Sequence, residues 1–128
     1  MKLLLDTHVL IWLVEGNENL SNAAKQAIEA DDNSLYLSIV SLWEITIKMS
    51  LGKLDLDIAL DRVINDYVVP SGMEILPIHL NHLSVLRDLP LHHRDPFDRL
   101  LISQAQAEGL TVVSKDRLFG NYSVQILW

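Results

Sequence analysis

Cysteine is missing from the 128 residues, which removes disulfide scaffolds, iron–sulfur clusters and thiolate zinc sites from consideration. Long apolar runs are missing too. No stretch approaches the roughly 20 residues that span a bilayer, and the run Leu3–Leu5 is cut off by Asp6. A secretory signal needs a longer apolar stretch and a small-residue cleavage site, so the chain is expected to begin inside the fold and to work in the cytoplasm, away from membranes. There is no repeat, low-complexity tract or Pro/Gly/Ser-rich linker, and the length suits one domain over residues 1–128. Cations are scarce: 10 Lys and Arg stand against 17 Asp and Glu, a formal charge of −7. A protein that holds nucleic acid by bulk attraction is basic. An acidic protein that handles a polyanion needs local neutralisation, for which bound divalent cations are suited. Hydrophobic residues are plentiful, 49% against 21% charged, which excludes a disordered chain.

Short apolar runs alternate with helical patterns. Strands are expected at Leu3–Leu5, Ser34–Ser38, Glu74–Ile78, Thr111–Ser114 and Val124–Leu127. Helices are expected at Thr7–Glu15, Leu20–Ala30 with Ser21 as cap, Ser41–Leu51, Asp57–Val68 with Asp57 as N-cap, His79–Asp88 and Pro96–Glu108. Such β–α alternation predicts an α/β fold: a central, mostly parallel five-stranded sheet with helices on both faces. Ligands of such sheets bind beyond the carboxyl ends of the strands.

Four acids stand out by position. Asp6 follows the first strand directly and precedes an apolar helix; simple helix capping is the alternative role. Glu44 lies on a narrow polar strip with Ser41 and Lys48, between the apolar stripes Leu42/Ile45/Met49 and Trp43/Ile47/Leu51. An ordinary i,i+4 pair with Lys48 also accounts for it. Asp98 shares the buried stripe of its helix with Leu101, Ile102 and Ala105, whereas Arg99, Ser103 and Gln106 occupy the arc expected to be solvated. A capping box with Asp95 as N-cap and Pro96 at N1 explains Asp95 but not an inward Asp98. Asp116 follows the fourth strand by two residues, where a turn-forming Asp is also common. Together the four place carboxylates at one edge of one sheet, where like charges repel without cations. Oxygen donors alone suit Mg²⁺ or Mn²⁺ rather than zinc, and the chemistry such a site supports best is phosphodiester hydrolysis by a metal-activated water.

The stretches LLLDTHVLIW (3–12), SIVSLWEITIKMSLGKL (38–54), LPLHHRDPFDRLLISQAQAEGLTVVSKD (89–116) and YSVQILW (122–128) resemble the PIN-domain family, and within it the VapC-type toxins of bacterial toxin–antitoxin systems. The resemblance covers nearly the whole chain. It implies a PIN fold, a three-layer α/β/α sandwich, and a Mg²⁺-dependent endoribonuclease that cuts single-stranded regions of RNA. It places the family's acidic quartet, as catalytic and metal-binding residues, on Asp6, Glu44, Asp98 and Asp116. It also implies a VapB-like antitoxin that blocks the site and a toxin homodimer. Asp95 is read as a cap and a group behind the site.

Other polar residues are open to two roles. Thr7 and Ser114 are placed either to hold a carboxylate or metal water, or to make local backbone bonds. His8 is read as a buried histidine bonded to a carbonyl. His92, His93 and Arg94, with Arg99, Lys115 and Arg117, are either contacts for RNA phosphates or solvated surface. The pair His79 and His82 lacks a third metal ligand. Trp12, Trp43 and Trp128 are read as core or interface anchors rather than stacking platforms, and the spare stripe Trp43, Ile47 and Leu51 as part of a dimer or antitoxin surface. A haloacid-type phosphatase needs a second Asp where His8 stands, and a receiver domain needs an acidic pair at the first strand. The rival from another class is a catalytically inert PIN-like module that acts only through its protein partner.

Overall fold

The alternating runs build one sheet. The structure, a computed structural model, describes residues 1–128. Its strands are β1 (Lys2–Leu5), β2 (Ser34–Ser38), β3 (Glu74–Leu76), β4 (Thr111–Val113) and β5 (Ile126–Leu127). They are ordered β3-β2-β1-β4-β5 and every pairing is parallel. The helices are α1 (Thr7–Glu15), α2 (Asn22–Glu29), α3 (Ile39–Ser50), α4 (Leu60–Val63), α5 (Leu80–Arg87) and α6 (Pro96–Glu108). A π-helical turn, Ile64–Val68, prolongs α4, and a 3₁₀ turn, Arg117–Asn121, follows β4. No helix is long and apolar enough to cross a membrane.

β1 lies in the middle of the sheet, so both its faces are covered and Leu3, Leu4 and Leu5 are wholly buried, as a parallel strand requires. The two-residue period of a strand divides these leucines between two cores. Leu3 and Leu5 pack with Val9, Leu10, Leu37, Ile45 and Val63 on one face. Leu4 packs with Leu101, Ile102, Val112 and Phe119 on the other. Helices therefore cover both faces, as expected. From β1 the chain adds β2 and β3 to one side and β4 and β5 to the other. The carboxyl ends of β1 and β4 thus lie at a topological switch point, where α/β sheets place ligands.

Several expectations need correction. Asp57 does not cap a helix: its backbone is left-handed, φ 58, its N–H donates to Asp55 Oδ1, and Ala59 is the N-cap of α4. α3 begins two residues early, because the Ser38 hydroxyl accepts the Val40 N–H and caps it. β3 stops at Leu76, since Pro77 has no N–H for a ladder. α6 is buried almost all round: Ser103 and Gln104 are fully enclosed because α5 covers the arc expected to be solvated.

Candidate metal centre

Asp6 lies at the N-cap position of α1 yet makes no side-chain cap. Its carbonyl serves the helix by accepting the Val9 and Leu10 N–H groups, which releases the carboxylate. That side chain is buried. Oδ2 accepts the Ser114 hydroxyl at 2.8 Å, and Oδ1 has no partner at all, the one buried side-chain polar atom in the chain so placed. Ser114 Oγ in turn accepts the Asp116 N–H at 3.0 Å, so the end of β4 is tied to the end of β1. Burial, opposed by the Ser114 hydrogen bond and the nearby His8, pushes the Asp6 carboxyl above its ordinary value, and Glu44 adds to the rise.

Glu44 is 3% exposed and is held by two side chains, Thr7 and Lys48. Thr7 Oγ1 lies 2.9 Å from both Glu44 Oε1 and Ser41 Oγ; since a carboxylate only accepts, the Thr7 proton serves Glu44. Lys48 Nζ reaches Oε2 at 2.6 Å, and this contact holds the ammonium above its ordinary 10.5. The i,i+4 pair therefore exists, but it holds an inward carboxylate rather than decorating a surface.

Asp98 enters the same space from the first turn of α6. Asp95 caps that helix: its Oδ1 accepts the Phe97 and Asp98 N–H groups, with Pro96 at N1. The box is only half closed. The Asp95 N–H donates to His93 Nδ1 instead of to Asp98, so the Asp98 carboxyl is free to turn inward. Burial first, and then the carboxylates of Asp6, Asp95, Glu44 and Asp116, push it up to about 8. Asp6, Glu44 and Asp116 thus lie close enough to Asp98 to act on its charge. Asp116 combines both roles weighed for it: Oδ1 caps the 3₁₀ turn through the Leu118 N–H, and Oδ2 faces His93 Nε2 at 2.9 Å.

His93 is the group that sequence reasoning missed. It is 8% exposed and its ring lies 5.8 Å from that of Phe119, not in a solvated basic loop. Because Nδ1 accepts a backbone N–H, the neutral ring carries its proton on Nε2, which lies 2.9 Å from Asp116 and 3.1 Å from Asp98. One oxygen of each acid and this nitrogen lie within 4.8 Å of one another, a spacing one ion can span. An Nε2–H cannot itself ligate, so His93 acts here as the donor that brackets two carboxylates. The contact joins residues 23 apart in the chain, so no local pattern could have found it. Arg99 is likewise reassigned: it donates to the carbonyls of Leu89, Pro90 and His93 and is not free for phosphate. His8 is exposed and lies against Trp12 rather than buried. His82 is wholly buried, donates to Glu108 and lacks a metal set.

The residues fit a hard divalent cation. A buried carboxylate oxygen without a donor costs several kcal/mol, and the Asp98 carboxyl, pushed up to about 8 by burial and then by its acidic neighbours, is costly to ionise without a counter-charge. Both penalties vanish when a cation with oxygen preference sits among them.

Comparison with known proteins bears on the fold. A model of the PIN domain matches residues 3–124. Among solved structures the chain is similar to VapBC2 from Rickettsia felis, crystallised with a DNA fragment from their promoter, at 17% identity and TM-score 0.74, covering 98% of this chain and 97% of that one. It is also similar to FitAcB from Neisseria gonorrhoeae, at 18% identity and TM-score 0.68, covering 97% and 95%. The DNA-bound VapBC from Salmonella typhimurium matches at 17% identity and TM-score 0.66, covering 98% and 96%. No curated protein matches the chain.

Proposed function

The chain belongs to the PIN-domain family, and from that premise we propose that residues 1–128 form one PIN domain acting as a Mg²⁺-dependent endoribonuclease toxin, with Mn²⁺ as an alternative ion. The observation that carries this reading is Asp6 Oδ1, a buried acceptor without a donor, in the same region as the carboxyls of Glu44, Asp98 and Asp116. Asp6, Glu44, Asp98 and Asp116 are the proposed ligands and the proposed catalytic set.

A bound cation supplies Lewis acidity that lowers the pKa of water and neutralises charge on the scissile phosphate. The chain's part is to hold the donors still. Ser114 orients Asp6, Thr7 and Lys48 orient Glu44, and the His93 N–H keeps Asp98 and Asp116 side by side. Such supporting contacts typically change metal affinity or activity 10- to 100-fold, an order-of-magnitude range.

VapBC and a toxin–antitoxin complex among the structural neighbours support a VapB-like antitoxin as partner. For its surface, or that of a homodimer, we assign the stripe Trp43, Ile47 and Leu51. Trp43 is 54% and Leu51 61% exposed, although Trp43 also meets Phe97 edge-on. The test of the enzyme reading is cleavage of RNA by purified protein in Mg²⁺, its loss in EDTA, and its loss in Asp6→Asn. Equal cutting by Asp6→Asn overturns the site. An intact Asp6 that binds no Mg²⁺ by calorimetry at millimolar metal favours the inert binding module.

A further inference from the structure

The acidic chain keeps a cation free of ion pairs on each side of one proposed metal ligand, Asp116. Of its ten Lys and Arg, Lys48, Arg62 and Arg87 are paired with acids, and Arg99 is spent on carbonyls. Lys115 and Arg117 form no ion pair. They flank Asp116 directly in the chain, and both are exposed.

Two adjoining hollows meet at these residues. One, of about 260 Å³, is lined by Asp6, His8, Trp12, Lys115 and Asp116. The other, of about 560 Å³, is lined by Lys115, Asp116, Arg117, Ile126 and Trp128, among others. Lys115 and Asp116 belong to both, so the two form one groove that starts at a proposed metal ligand and leads away from it. Its floor is aromatic. The Trp12 ring lies 5.8 Å from that of His8 and 5.8 Å from that of Trp128, tilted by 48° and 57°. Both tryptophans are half-buried and pack in part against the core, so a base can meet only the part of each ring that lines the groove. Lys115 Nζ lies 5.8 Å from the Trp12 ring centroid, which keeps a cation over the aromatic ledge.

Aromatic faces interleaved with cations along a groove are what an unpaired polynucleotide strand needs: bases stack on the rings while the cations track the phosphates. We propose that the groove from Asp6 along Trp12 to Trp128 is a single-stranded RNA subsite, in which an unpaired base stacks on the His8–Trp12–Trp128 ledge and the adjoining phosphates sit on Lys115 and Arg117. This rests on the ribonuclease reading above and deepens it. It adds a substrate role for Trp12 and Trp128 to the core packing that both make, as expected of them. It also explains selectivity by strand state: a base already stacked in a duplex cannot use the ledge.

The test is binding of a fluorescein-labelled single-stranded RNA to the full chain in Ca²⁺, followed by anisotropy across a salt series, with the strand confirmed intact on a gel. Lys115→Ala and Arg117→Ala should each reduce the slope of log Kd against log salt by about 0.7, the counterion contribution of one single-strand phosphate contact. Lys53→Ala, on the connection after α3, should leave it unchanged. Trp12→Ala should weaken single-strand binding roughly tenfold with the slope and the affinity for duplex unchanged. Trp12→Phe, which keeps a ring and guards against a folding defect, should retain most of the affinity. If the wild type binds and cuts RNA but the Lys115, Arg117 and Trp12 variants match it in affinity and slope, the subsite is wrong and the ribonuclease reading stands. If the wild type neither binds nor cuts RNA in Mg²⁺, both fall.

Discussion

Helix α6 carries two buried polar clusters, and they are built on opposite rules. Toward its C-terminal end, Gln104 accepts the Ser38 hydroxyl and donates to the Pro77 carbonyl. His82 Nδ1 accepts the His79 N–H, and Nε2 donates to Glu108. Ser38, His82 and Gln104 are fully enclosed, and every buried side-chain polar atom there has a partner. At its N-terminal end, Asp98 joins Asp6, Glu44 and Asp116, where like charges accumulate and one oxygen is left alone. A satisfied network holds α5, α6 and the sheet together. An unsatisfied one is costly unless a ligand completes it, and that asymmetry, not the number of buried polar groups, singles out the proposed site.

The comparison can be broken most directly at Asp98. Asp98→Asn should lower RNA cleavage by more than about 100-fold, since even outer-shell partners of a metal ligand cost up to that much. The same variant tests the electrostatics. In the fold Asp98 keeps its proton to about 8, against an ordinary 3.8, so between these values the folded state binds more protons than the unfolded one. Metal-free stability must then fall as pH rises through that window. Melting in EDTA should drop from pH 5 to pH 8, by roughly 4 °C for each kcal/mol lost. Asp98→Asn should weaken the trend, leaving the part that the raised Asp6 carboxyl contributes, and Mg²⁺ should cancel it. A flat wild-type curve in EDTA would remove the case for crowded charge.

The satisfied cluster should answer in the opposite way. His82→Ala strands Glu108 and the His79 N–H and opens a cavity, and should cost about 2–4 kcal/mol in denaturant unfolding. Cleavage per folded molecule should be unchanged, and a loss of activity without loss of stability would erase the distinction between the clusters. The smallest effect is expected at Trp43, which belongs to neither. Trp43→Ala should shift monomer stability by under about 1 kcal/mol while weakening association measured by light scattering. Unchanged assembly would take the stripe out of the interface.

Residue order alone determined the α/β architecture and the placement of Asp6 and Asp116 after strands, because strand and helix periods and strand–acid junctions are local signals. The apolar company of Asp98 on its helix was legible for the same reason, as was the Asp95–Pro96 start of α6. Local pattern misjudged Asp57 and the outer arc of α6, since backbone handedness and the cover supplied by α5 are not written in a single segment. Tertiary structure alone decided that His93 spans Asp98 and Asp116, that Thr7 holds Glu44 across 37 residues, that Ser114 meets Asp6 across 108, and that His8 faces out. Those contacts arise when the parallel sheet brings the ends of β1 and β4 together. A hydrogen bond extends about 3 Å, so which side chains share one depends on where the fold carries them, whatever their separation along the chain.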